Sequence, residues 1–131
     1  MSEQNQILQS TRQEELLYQV SELNQMLVNG QPLEAFEKFY HGDVIMQENH
    51  NPPTLGKDAN RERETKFYGN ITELRRNTPL KVAIGKDTTM VEWLMDFTHR
   101  EWGAVVLHQV AVQVWEDDQI IKENFFYSLK P

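Results

Sequence analysis

The residues best suited to chemistry in this chain begin at Met46. From there to Glu64 the sequence sets a carboxylate (Glu48), Asn49, His50, Asn51 and the pair Pro52-Pro53 directly behind an apolar run, and a densely charged segment follows. Another carboxylate, Glu123, lies in the final apolar stretch. Burial disfavours the ionised form of a carboxyl group and raises its pKa, and a like charge facing it raises it further. A carboxyl poised near neutrality serves as a general acid or base, which suits abstraction of a proton alpha to a carbonyl or protonation of a leaving oxygen. The structural alternative is that Glu48 caps a helix or braces the proline loop while Glu123 pairs with a core partner. The spacing Glu48-x-His50 also offers a pair of metal ligands, with His108 or His99 as a third. No His-x-His accompanies them, so neither a metal nor a cofactor is expected.

The elements that must position these groups follow from periodicity. Leu16, Val20, Leu23 and Leu27 form one apolar stripe, which predicts a helix over 3–28 that stops at Asn29-Gly30. Pro32 suits the first turn of a short helix with Leu33, Phe36 and Tyr40 on one side, ended by Gly42. The pair reads as a helical lid. Val44–Gln47 reads as a short strand, which the prolines cannot continue because they lack a donor N–H. Gly56 then permits a turn into a helix over 57–68, whose run Arg61-Glu62-Arg63-Glu64 reads as a solvated face. Beyond Gly69 the period changes to two, predicting strands at about 71–85, 88–99, 104–115 and 119–129. Helices first and a strand meander later define an α+β class, with helices on one face of a curved, mostly antiparallel sheet.

Bulk properties narrow the function. The chain has 131 residues, 39% of them hydrophobic, which suits one domain over 1–131. A net charge of −7 argues against a nucleic-acid partner. Residues 51–86 carry eight Lys/Arg against four Asp/Glu, but their signs alternate as on a solvated helix. The start shows no basic-then-apolar leader and no apolar run approaches the ~18 residues of a membrane span, so a cytoplasmic protein without a membrane partner is expected. Absence of cysteine excludes disulfides and thiol chemistry.

The wording of the chain adds a family. Phe39-Tyr40-His41-Gly42-Asp43-Val44-Ile45-Met46-Gln47-Glu48-Asn49, Pro52-Pro53-Thr54-Leu55-Gly56-Lys57, Val91-Glu92-Trp93-Leu94-Met95-Asp96-Phe97 and Trp115-Glu116-Asp117-Asp118-Gln119-Ile120 together resemble the SnoaL-like branch of the nuclear transport factor 2-like (NTF2-like) superfamily. Met46 to Lys57 is the distinctive block. Where the family usually ends its last hairpin with Asp-Gly-Lys-Ile, this chain reads Asp118-Gln119-Ile120, which puts the turn geometry in question. The resemblance implies a cone-shaped α+β half-barrel with a deep pocket, commonly dimeric through the sheet. Family members include isomerases, polyketide cyclases, epoxide hydrolases, dehydratases and non-catalytic proteins. It therefore implies a small-molecule-binding protein, either a cofactor-free acid–base enzyme using an inward glutamate or a non-catalytic ligand-binding or dimerisation module.

Alternation sorts the side chains into faces. In the last strand Ile121, Glu123, Phe125 and Tyr127 share a face, and a mostly apolar cone interior favours it over Lys122 and Asn124. Val91, Trp93, Met95 and Phe97 form the inner face of the strand over 88–99. Over 104–115 alternation alone leaves two choices: Gln109, Ala111, Gln113 and Trp115, or His108, Val110, Val112 and Val114. The family register implies that Trp115 points inward, with Val110 and Val112 left outside as a homodimer face. It also implies inward Met46 and Glu48. The expected site then has Glu48 and Glu123 as catalytic carboxylates, with Met46, Trp93, Met95, Gln109, Gln113, Phe125 and Tyr127 around the ligand and His50 at the mouth. Gln109 and Gln113 would orient a substrate oxygen and Tyr127 donate to one. Phe126 is expected outside, His41 and His99 at the surface, and Trp102 has no assigned role.

Overall fold

A computed structural model of the chain describes residues 3–128. The apolar stripe of the first helix, α1 (Glu3–Val28), goes where periodicity sends it: Leu16, Val20 and Leu23 are fully buried. Gly30 adopts φ 76°, which lets the amides of Gly30 and Gln31 return to the carbonyls of Leu27 and Met26 and close the helix end. Pro32 opens α2 (Pro32–Phe39), which buries Ala35, Phe36 and Phe39. The chain passes straight from α2 into β1 (Tyr40–Glu48), so Gly42 lies inside the strand rather than ending the helix. Then follow β2 (Thr54–Leu55), α3 (Lys57–Gly69), β3 (Ile71–Gly85), β4 (Thr88–His99), β5 (Gly103–Glu116) and β6 (Gln119–Phe126). The last strand ends before the expected residue 129, which lies outside the described residues.

The class is α+β, with three helices over a six-stranded sheet in the order β2-β1-β6-β5-β4-β3. Every neighbouring pair is antiparallel except β1 with β6, which brings the first strand beside the last. Register slips at three places between β3 and β4, and each extra residue bends the strand and deepens its twist. The core lies between the helices and the inner sheet face, where Leu16, Leu23, Phe36 and Phe39 meet Val91, Trp93, Ala111, Trp115 and Ile120.

Two local features correct the alternation pattern. Val114 pairs with Lys122 but Trp115 pairs with Ile120, so Ile121 is an unmatched extra residue. The bulge resets the strand: Ile120, not Ile121, is fully buried, and inward facing resumes at Glu123. The last hairpin manages without glycine because Asp117 takes φ 54°, a left-handed conformation that aspartate tolerates.

One buried side chain fixes α3 on the sheet. The Asn60 amide nitrogen reaches the carbonyls of Val44 at 3.3 Å, Thr54 at 3.0 Å and Gly56 at 2.7 Å. This ties the helix to both short strands and sets its rotation, so that residues four and eight further on, Glu64 and Tyr68, face the same way. Among the described residues no helix is long and apolar enough to cross a membrane. Asn60→Leu keeps the volume but removes the side-chain donor shared by those carbonyls, of which Val44 and Gly56 keep a backbone donor, and is expected to cost about 1 kcal/mol in denaturant melts. Unchanged stability would show that the tie does not hold the helix.

Candidate functional site

Between α3 and the inner face of the sheet lies a cavity of about 370 Å³, and against it a deeper chamber of about 60 Å³. Glu64, Tyr68, Met95, Gln109 and Phe125 line both. The deep walls are Tyr40, Trp93, Gln113 and Glu123, while Met46, Glu48, Arg63 and Tyr127 stand around the outer cavity. Of the residues expected at the ligand, Met46, Trp93, Met95, Gln109, Gln113, Phe125 and Tyr127 all come to these walls. His50 does not. Asn49 at φ 52° turns the chain away after β1, leaving His50 exposed and off the cavity wall.

Glu123 is 1% exposed and lies in a row of directly paired residues running across four strands, Thr89, Gln113, Glu123 and Met46. Trp115 Nε1 donates to Thr89 Oγ1 at 2.9 Å, Thr89 Oγ1 donates to Gln113 Oε1 at 2.6 Å, and Gln113 Nε2 donates to Glu123 Oε2 at 2.7 Å. Because Gln113 Oε1 is occupied by Thr89, its amide nitrogen must face the carboxyl group. The Tyr40 hydroxyl donates to the other oxygen, Glu123 Oε1. Burial pushes the Glu123 carboxyl up to about 7 against the opposing pull of these two donors. Burial, reinforced by Glu123, also raises the Tyr40 phenol well above its ordinary value, so it keeps its proton.

Glu48 reaches the outer cavity, but both its oxygens are engaged. The Tyr127 hydroxyl donates to Oε1 at 3.0 Å and Arg63 donates to Oε2 at 2.8 Å, while Arg63 also holds Thr54 Oγ1 at 2.6 Å. Asn49 Oδ1 accepts the Tyr127 amide at 3.0 Å, fixing the chain that carries the phenol. Burial and then Glu48 push that phenol up to about 12. Tyr127 thus donates to the protein's own carboxylate, and Glu48 braces the rim.

Glu64 is the residue that strand reasoning missed. The run Arg61–Glu64 is not one solvated face: Arg61 turns outward to Glu37 and Asp58, Arg63 binds Glu48, and Glu64 points into the cavity. It makes no hydrogen bond or ion pair with the described residues. Burial raises its carboxyl first, then Glu123 and Glu48 by repulsion, to about 8 against the pull of Arg63. The usable signal was helical spacing, since Asn60, Glu64 and Tyr68 recur every four residues.

Three other placements differ from expectation or complete it. His99 is buried, not superficial: its ring stacks on Trp102 with centroids 3.9 Å apart, and Phe67 packs beside both. Trp102 thereby gains a role as part of an aromatic corner at the cavity. His108 is exposed and bonds Glu92 at 2.9 Å, far from any ligand set with Glu48. Among the described residues no group of three His, Asp or Glu side chains is arranged to hold a metal ion. On the outer sheet face Val110 is exposed and Val112 half-buried, near exposed Met90, Val106 and Phe126.

A bulge-curved sheet covered by helices around an interior cavity is the nuclear transport factor 2-like fold. Residues 13–127 match the model of the SnoaL-like domain, and the chain belongs to that family. Among solved structures it resembles a protein assigned as a SnoaL-like polyketide cyclase from Mesorhizobium loti, at 20% identity over 86% of this chain and 98% of that one, with a TM-score of 0.77. It also resembles a protein assigned as an isomerase from Bacillus subtilis, at 15% identity, 88% and 87% coverage and a TM-score of 0.72. A third is a protein with a ketosteroid isomerase-like fold from Catenulispora acidiphila, solved in complex with trimethylamine, at 12% identity, 85% coverage of both chains and a TM-score of 0.69. No curated protein matches the chain significantly.

The raised carboxyls tie stability to pH. Glu64 at about 8 and Glu123 at about 7 both lie above the ordinary 4.5, so the folded state binds more protons than the unfolded one across that interval. Their contribution is most favourable below the unfolded pKa and is lost as pH rises through the folded values, at no more than about 1.4 kcal/mol per pH unit for each group. Denaturant melts from about pH 5 to 8 are expected to show Glu64→Gln gaining stability over the wild type as pH rises. A difference between the two proteins that does not change with pH would contradict the assignment.

Proposed function

We propose that the cavity binds a small, largely apolar molecule and that Glu64 acts on it as a cofactor-free general acid–base. The observation that supports this is the contrast between the three glutamates. Glu48 is held by Tyr127 and Arg63, and Glu123 by Tyr40 and Gln113, whereas Glu64 faces the same space with no hydrogen bond or ion pair among the described residues. A base needs a free lone pair within reach of the substrate, and of the three only Glu64 has both oxygens uncommitted. Tyr68 lines the same space, with its phenol raised by burial and by Glu64 so that it keeps its proton for a substrate oxygen. Gln109 offers an amide beside it. A carbonyl compound held by these donors would lose an alpha proton to Glu64 and regain it at a neighbouring atom, the chemistry of an isomerisation. In this reading Glu123 tunes Glu64 through its charge, and Glu48 shapes the entrance.

A non-catalytic carrier is the second reading. The engagement of both Glu48 and Glu123 by protein donors favours it, since locked carboxylates need no reaction to explain them. In either case the exposed Met90, Val106, Val110 and Phe126 suit a second copy of the chain against the outer sheet face.

Exchange of carbon-bound hydrogen in heavy water separates the two readings. With a panel of small cyclic ketones and tertiary amino ketones, followed by NMR, the wild type is expected to accelerate exchange alpha to the carbonyl. Glu64→Gln should lower that rate by about a hundredfold or more. Saturable binding of these compounds with no acceleration over buffer would establish the carrier instead.

A further inference from the structure

The charges around the cavity are one-sided. The deep chamber holds two carboxyls, Glu64 and Glu123, with the phenols of Tyr40 and Tyr68 and no Lys, Arg or His among its walls. At the outer cavity Arg63 is committed to Glu48 at 2.8 Å. Lys66 is exposed at the edge of that cavity, as is Glu101, and His99 is stacked against Trp102 with Nδ1 accepting the Glu101 amide at 3.2 Å. The Tyr127 phenol donates to Glu48. Arg63 attracts Glu64 without pairing with it, and among the described residues none of these groups forms a hydrogen bond or ion pair with Glu64. What surrounds it instead is aromatic: Tyr68 and Phe125 line both spaces, Trp93 the deep one, Phe67 and Trp102 the outer one. A half-buried carboxylate without an ion pair in such a setting leaves room for a cation, and the faces of aromatic rings attract cations as well.

We propose that the site takes a small organic cation, an ammonium or quaternary amine on a compact apolar body, with its charge held against Glu64. The proposal rests on the cavity being a small-molecule site and names the class of molecule. A neutral ligand would leave Glu64 either protonated or unpaired, and an anion would add a further like charge beside Glu64, Glu123 and Glu48. A cation resolves the conflict and does something more. Its arrival favours the ionised carboxylate, so the base is formed when the substrate binds. The raised carboxyl of the empty site, about 8, means that binding near neutral pH expels a proton from Glu64.

Three compounds of matched shape test this: cyclohexylammonium, cyclohexanol and cyclohexanecarboxylate, titrated calorimetrically near neutral pH in phosphate and in Tris. The ammonium is expected to bind roughly tenfold more tightly than the alcohol, and the carboxylate more weakly than either. Its heat should differ between the two buffers, because their ionisation enthalpies differ and a proton is released. That comparison needs only the wild type. Glu64→Gln should abolish both the preference and the buffer dependence while leaving the alcohol within about twofold. Equal or tighter binding of the alcohol or the carboxylate overturns the cation while leaving the cavity as a ligand site. So does a preference that survives in Glu64→Gln. Failure of all three compounds to bind overturns both.

Discussion

A half-buried carboxyl at the cavity wall, with no hydrogen bond or ion pair among the described residues, is the group around which the rest of the site is arranged. An unpaired buried charge costs several kcal/mol, so such a group shifts its pKa and stays neutral unless a partner arrives. The protein resolves this in different ways for its inward glutamates. Glu123 receives Tyr40 and the end of a donor chain that starts at the Trp115 indole. Glu48 receives an arginine and a phenol. Glu64 receives no hydrogen bond or ion pair from the described residues; Glu123 and Glu48 repel its charge, and Arg63 attracts it without pairing with it.

That difference depends on sheet register and helix rotation. Gln113 can donate to Glu123 because the bulge at Ile121 makes them direct partners across β5 and β6. Were Ile121 paired in regular alternation from Ile120 instead of bulged out, Lys122 would turn toward the core and Glu123 away from it. Glu64 faces inward because Asn60, one turn earlier, is tied to the carbonyls of both short strands. A rotation of α3 by one residue, about a hundred degrees, would bring another member of the charged run into the cavity.

The fold was largely legible because its signals are local. The stripe on α1, the proline at the start of α2 and the change to period two after Gly69 each report on a few neighbouring residues. Strand facing was legible for Gln109, Gln113 and Trp115 once the family register chose between two equal alternations. What escaped depends on tertiary structure. Simple alternation places Ile121 on the inner face, because a bulge leaves no trace in it. His99 looked superficial because its burial depends on Trp102 and Phe67, which reach it through tertiary packing. Glu64 was hidden by composition: four alternating charges read as solvent-exposed, although a helix sends successive residues to different faces. The brace on Glu48 joins it to Arg63 and Tyr127, pairings that no local pattern reports.

The central claim is that Glu64 is a half-buried carboxyl at the cavity wall with no hydrogen bond or ion pair among the described residues. The most direct measurement is an isotope-edited NMR titration of the glutamate side-chain carboxyls, with Glu64 assigned through its Gln variant. The account predicts a Glu64 midpoint displaced to about 8, far above the ordinary 4.5. A midpoint at the ordinary value would mean that Glu64 is solvated or paired, and would contradict the account.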